Sequence, residues 1–232
     1  MTSSVPRARQ LAARTTEQID AVASTTLLAV PVGATEQHGP HLALGTDTCV
    51  AVAIAHRLAQ LRSDVLVAPA LPYGASGEHG DFAGTLSIGH IALEAVLVEL
   101  TRSADVFRGL IFVSGHGGNA TSVQAAVTTA QAEGRPVIAW HPRVAGGDAH
   151  AGRTETSMML AIDKASVLTA RARPGDVRPL ASILRQLRET GVRAVSPSGV
   201  LGDPTGASAA EGEALLQQLA TDLARAVQDR WP

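Results

Sequence analysis

Apolar residues fall in short runs, each followed by a longer amphipathic stretch. The first run, TTLLAVPV, predicts a strand over residues 26–32. It ends at Gly33 and is apolar on both faces, as a strand covered from two sides must be. TCVAVAIAHRLAQL predicts a helix over 48–61, with Thr46 or Asp47 near its N-cap. Further strands are expected over 64–71, at GLIFVSG ending near Ser114, and at PVIAWH. Helices are expected over 90–103, from Asn119 to Gly134, from an opening near Ala149–Gly152, over 180–190 and over 208–229. RAVSPSG reads as a short extended piece.

Strands alternate with helices through short connections. That order predicts an α/β, three-layer sandwich: a central, mostly parallel β-sheet flanked by helices. The 232 residues read as a single domain, 1–232, with 1–20 as a candidate flexible N-terminal arm. In such sheets ligands bind outside the carboxyl ends of the strands.

Three polar clusters sit at those ends: Glu36, His38, His41 and Asp47; SGHGGN from Ser114 to Asn119; and HAGRTETS from His150 to Ser157. Carboxylate and imidazole ligands without thiolate suit Zn²⁺, Fe²⁺ or Mn²⁺. Glu36, His38, Asp47, His116 and Glu155 exceed the three protein ligands of one catalytic zinc. A pair of metals bridged by a shared carboxylate uses all five. Singly, all but His116, whose place between glycines at a strand end favours function, have a plainer role. Glu36 would be a solvated loop acid, His38 or His41 a hydrogen-bonded structural histidine, Asp47 a helix cap, and Glu155 an acid facing a helix dipole. Their joint placement at strand ends favours chemistry. Glu78 and His79, in GASGEHGDFAGT, read as a hydrogen-bonded pair or as substrate contacts, and Trp140 and His141 as pocket wall or core.

Composition narrows the classes. Net charge is −2, with no basic cluster for nucleic acid or an anionic membrane, and aromatics are only 3%, too few for base stacking. No apolar run reaches the ~18 residues of a membrane-spanning helix, and the first residues lack the apolar stretch of a signal peptide. The single cysteine, Cys49, forms no internal disulfide, and a cytoplasmic setting is expected. There is no H-E-x-x-H zinc motif, no G-x-S-x-G serine elbow and no Lys-bearing phosphate loop.

TEQHGPHLALGTDT, YGASGEHGDFAGT, SGHGGN, HAGRTETSMML and GVLGDPTGAS, in this order from about Val30 to Gly212, resemble the creatininase family of metal-dependent amidohydrolases. The spacing and the GDPTGAS tail look most like the branch associated with mycofactocin biosynthesis. The resemblance implies homo-oligomers, often hexamers or larger, and two divalent metals per subunit, with Glu36, Asp47 and His116 on one and His38 and Asp47 on the other. Creatininase itself supplies a further glutamate two residues after the histidine matching His116; here Gly118 stands there, and Glu155 is the candidate to replace it. His150 matches a proton-shuttling histidine. The implied reaction is attack of a metal-bridged hydroxide on an amide, before the C-terminal cross-linked Val-Tyr-derived dipeptide of a modified precursor peptide. His150 and Glu155 are the catalytic candidates, and Gly117, Gly118, Trp140 and His79 the substrate-contact candidates. Two other readings stand beside it: a small-molecule amidohydrolase of creatinine or formamide type, and a metal-stabilised binding protein.

Overall fold

The computed structural model describes residues 7–232. Of the candidate arm, residues 1–6 lie outside the described residues; residues 7–9 and 11–13 form short 3-10 turns. The regular elements are α1 (Thr16–Asp20), β1 (Leu27–Val32), α2 (Thr46–Leu61), β2 (Val65–Val67), α3 (Gly89–Ser103), β3 (Gly109–Ser114), α4 (Ala120–Ala132), β4 (Val137–Trp140), α5 (Arg153–Ile162), α6 (Leu180–Val195) and α7 (Ala209–Arg230). Four strands form one parallel sheet in the order β2-β1-β3-β4.

The sheet divides two apolar layers. Leu27 and Ala29 of β1 and Ile111 and Val113 of β3 pack with α2, α5 and α7 through Ile54, Leu58, Met159, Leu216, Leu219 and Leu223. The alternate residues Leu28, Val30, Leu110 and Phe112 pack with α3 and α4 through Leu93, Leu97, Val123 and Ala126. Period-2 alternation in strands buried on both faces thus yields a helix–sheet–helix sandwich. No helix among the described residues is long and apolar enough to cross a membrane.

Three expectations are corrected. The strand expected over 64–71 is regular only over Val65–Val67. Pro31 of the neighbouring β1 has no N–H to offer on that side, and beyond Val67 the chain passes Pro69 and touches β1 again only at Leu71, whose N–H donates to the Pro31 carbonyl at 2.9 Å. The helix expected from 48 starts at Thr46, with Gly45 as its cap, so Asp47 lies in the first turn and its carboxylate is free for another use. RAVSPSG is not extended throughout. At Gly191 (φ 75°, ψ 174°) the backbone of α6 breaks, and a last helical turn over residues 192–195 seats Val192 against Ile183, Leu187 and Leu201.

Candidate metal centre

The loops that leave the carboxyl ends of β1, β3 and β4 meet above the sheet. Asn119 binds two of them to the 74–79 loop: its amide donates to the Gly33 carbonyl at 2.9 Å, and its side-chain oxygen accepts from Ala75 N–H at 2.8 Å. Gly115 lets β3 end against the first turn of α2, because a Cβ there would lie 2.2 Å from the Asp47 carbonyl. These contacts bring Glu36, His38, Asp47, His116, His150 and Glu155 together from four segments.

The His116 ring lies between acids. Its Nδ1 is 3.2 Å from Glu36 Oε2 and 3.3 Å from Asp47 Oδ2. Its Nε2–H donates to the Ala75 carbonyl at 3.3 Å, with Glu78 Oε1 at 3.5 Å. His38 is held in the same way: Nδ1–H donates to the Glu36 carbonyl at 3.2 Å, while Nε2 lies 3.0 Å from Asp47 Oδ1 and 3.9 Å from Glu155 Oε2. Each ring is anchored through one nitrogen and turns the other on the carboxylates. Carbonyl or carboxylate anchoring of the outer nitrogen is how metal-bound histidines are oriented. Glu155 Oε2 accepts from Ala151 N–H at 2.6 Å, and Ala151 adopts φ 52° to aim that group.

Both Glu36 oxygens and Asp47 Oδ2 are buried without a hydrogen-bond partner. Buried carboxylate oxygens left this way call for a cation. The pKa values express the same demand. Burial, with Asp47 next, raises Glu36 well above its usual value. Burial also opposes charge on His38, but the Asp47 carboxylate beside it, helped by Glu155 and Glu36, outweighs burial and raises the ring to about 10. His116 is raised for the same kind of reason, with Glu36 the main opponent of burial. Asp47 is driven below the usual carboxylate range by His38 and His116 in spite of its burial. Protons hold these acids and rings together where divalent ions fit. The candidate ligand sets Glu36–Asp47–His116 and His38–Asp47–Glu155 share Asp47; a third set joins Glu36, His38 and His150. An open cavity of about 810 Å³ reaches this cluster through Asp47, His116, His150 and Glu155, with Leu180, Leu184 and Arg188 of α6 on its far wall.

The other sequence candidates fall as follows. Gly117, Gly118 and His79 line the cavity. Trp140 and His141 are not among its lining residues: Trp140 packs against the α2–α5–α7 core, and His141 is half-buried. His41 turns away from the cluster, its Nε2 2.9 Å from Thr156 Oγ1. A Cβ at Gly118 would be crowded by the His116 ring, by Glu78 Oε1 at 2.5 Å and by the Ala75 carbonyl at 2.7 Å, so Glu78 takes part of the space that a residue-118 side chain would need. Motif spacing did not show this, because Glu78 comes from a separate loop. Gln37, between two ligand candidates, was passed over; its buried amide contacts both His79 and His150. GVLGD supplies backbone support: Leu201 pairs with His150 in a two-way bridge, N–H to carbonyl at 2.9 and 3.1 Å.

A parallel sheet whose loops gather carboxylates and imidazoles under a cavity, with no thiolate among them, offers the donor set of a divalent-metal enzyme. The chain belongs to the creatininase family, whose pattern, described as creatinine amidohydrolase, matches residues 12–227. It is 46% identical over 236 residues to the mycofactocin precursor peptide peptidase of Mycobacterium ulcerans, covering 98% of this chain and 93% of that protein. It is 48% identical over 212 residues to the peptidase of the same name from Mycolicibacterium smegmatis, covering 88% and 85%. A crystal structure of creatinine amidohydrolase superimposes with a TM-score of 0.83 at 25% identity, over 97% of this chain and 98% of that one.

Proposed function

We propose that this chain, a hydrolase of amide bonds by its family, is a peptidase with a dinuclear metal centre. Its substrate in this reading is a modified precursor peptide, cut before the C-terminal cross-linked Val-Tyr-derived dipeptide. The observation that carries it is the cluster of partnerless buried carboxylate oxygens, both of Glu36 and Oδ2 of Asp47, gathered about the inner nitrogen of His116 beneath an open cavity. Full-length likeness to the two peptidases supports the peptide substrate.

Glu36, Asp47 and His116 would hold one ion, and His38, Asp47 and Glu155 the other. Bound there, Zn²⁺ or Fe²⁺, or else Mn²⁺, supplies Lewis acidity and a water deprotonated near neutral pH. The chain's own groups do the rest. His150 keeps Nε2–H on the Gln37 carbonyl at 2.8 Å and turns Nδ1 toward Glu36. That nitrogen takes the proton of the attacking water and delivers it to the leaving amine. Gly117 and Gly118 border the place where the tetrahedral oxyanion forms, and their backbone N–H groups are the donors to it. Leu180 and Leu184 offer apolar wall to the peptide. A homo-oligomer, hexameric or larger, and a cytoplasmic setting belong to the same reading.

The test incubates metal-loaded protein with the modified precursor peptide and reads the fragments by mass spectrometry, with creatinine as a second substrate. Release of the C-terminal dipeptide, abolished by chelator and restored by Zn²⁺ or Fe²⁺, is the expected result. Cleavage that persists in chelator, or turnover of creatinine alone, overturns the proposal.

A further inference from the structure

Gln37 is 5% exposed, and its amide sits between two backbone groups. The side-chain oxygen accepts from Gly39 N–H at 2.8 Å, and the side-chain nitrogen donates to the Gly199 carbonyl at 3.1 Å. These partners fix which end is which. The reverse orientation would set nitrogen against an N–H and oxygen against a carbonyl.

The amide nitrogen also lies 2.8 Å from His79 Nδ1 and 3.1 Å from His150 Nε2. It has two hydrogens. One goes to Gly199. His150 Nε2 cannot take the other, since it lies 2.8 Å from the Gln37 carbonyl, an acceptor only, and must itself carry a hydrogen to satisfy it. The second amide hydrogen therefore goes to His79 Nδ1, which is a bare lone pair. The His79 proton is then on Nε2, 3.4 Å from Glu36 Oε1. His150 also carries its proton on Nε2, but it turns its other nitrogen to the site: the lone pair of Nδ1 lies 3.7 Å from the same Glu36 oxygen.

We infer that Gln37 is a positioning residue that holds two neighbouring histidines in the same Nε2–H tautomer while they present opposite nitrogens to Glu36, so that His79 enters the site as an N–H donor and His150 as a lone pair. The two rings are 4.6 Å apart, centroid to centroid, and approach one carboxylate oxygen, yet only His150 can take up a proton there. His79 can only offer its Nε2–H there. The tautomer assignment stands on the hydrogen-bond pattern alone; its consequence for turnover rests on the peptidase reading above.

The experiment is solid-state ¹⁵N NMR of the full chain labelled at histidine, metal-free and zinc-loaded, with H79Q and H150Q assigning the resonances. In the wild type, His79 is expected to show a protonated Nε2 and an unprotonated Nδ1, and His150 likewise a protonated Nε2. In Q37E, where the side chain can accept but not donate, the His79 proton is expected to move to Nδ1. In Q37L, where the fixing amide is lost, the His79 signals are expected to become those of a tautomer mixture, with kcat on the peptide lower by about 10- to 100-fold and KM little changed, as for other groups that orient metal-site residues. A wild-type His79 protonated at Nδ1 overturns the inference, as does a folded Q37E with an unmoved His79 proton. Should the wild type fail to cleave the peptide, the peptidase reading falls while the tautomer result is still decided.

Discussion

At the scale of single residues, the site is a problem in where protons and cations sit. His38 is raised to about 10 because the Asp47 carboxylate, with Glu155 and Glu36, overcomes the burial that would lower it. A histidine whose folded pKa lies above its ordinary 6.5 contributes stability that is complete below that value and is lost as pH rises through the folded one. Metal-free protein should therefore lose stability from about pH 6.5 to pH 10, and H38Q should lose less over the same window. Urea unfolding at stepped pH, wild type against H38Q, measures the difference; parallel curves would refute the His38–Asp47 assignment. The same proton competes with metal, so divalent affinity rises with pH across that range. His38, Asp47, His116 and Glu155 were legible as candidates because their joint placement at strand ends favours chemistry over the plainer role that most of them have singly. Gln37 was not, since a glutamine's task shows only in the partners of its amide.

Elements decide how those residues are presented. α2 begins at Thr46, one turn ahead of its apolar run, and so delivers Asp47 sideways to two histidines. α6 walls the cavity and breaks at Gly191, itself a lining residue, whose φ of 75° and ψ of 174° are nearly closed to other residues. A Cβ there would also press on the Glu78 carbonyl at 3.2 Å. Gly191→Ala should cost about 1–3 kcal/mol, seen in urea unfolding, and should raise KM for the peptide more than it lowers kcat, since α6 contributes wall and no candidate ligand. An unchanged KM would mean that α6 does not meet the substrate. Strand and helix existence followed from periodicity almost throughout. The exceptions were α1, inside the stretch read as an arm, β2, cut short beside Pro31 and Pro69, and the extended piece after 190, where one glycine's conformation governs the outcome.

For the whole molecule, the donors come from the loop after β1, the start of α2, the loop after β3 and the segment entering α5. An ion held by donors from three of these segments binds the folded chain and not the unfolded one. Zn²⁺ at 100 times its dissociation constant should then stabilise the protein by roughly 2.7 kcal/mol, read as a rise in Tm that EDTA reverses. A Tm indifferent to metal would argue against a site spanning these segments. The sequence by itself determined the layer order and the reactive residue types, because burial on both faces of a strand and the chemistry of carboxylate and imidazole are local properties. Only the tertiary structure decided which side chains converge: that Glu78 takes part of the space beside Gly118, that His41 and Trp140 stand apart, and that Gln37 joins two histidines. Those outcomes depend on distances between loops far apart in the chain, and such distances are fixed only when the sheet and its two helical layers have packed.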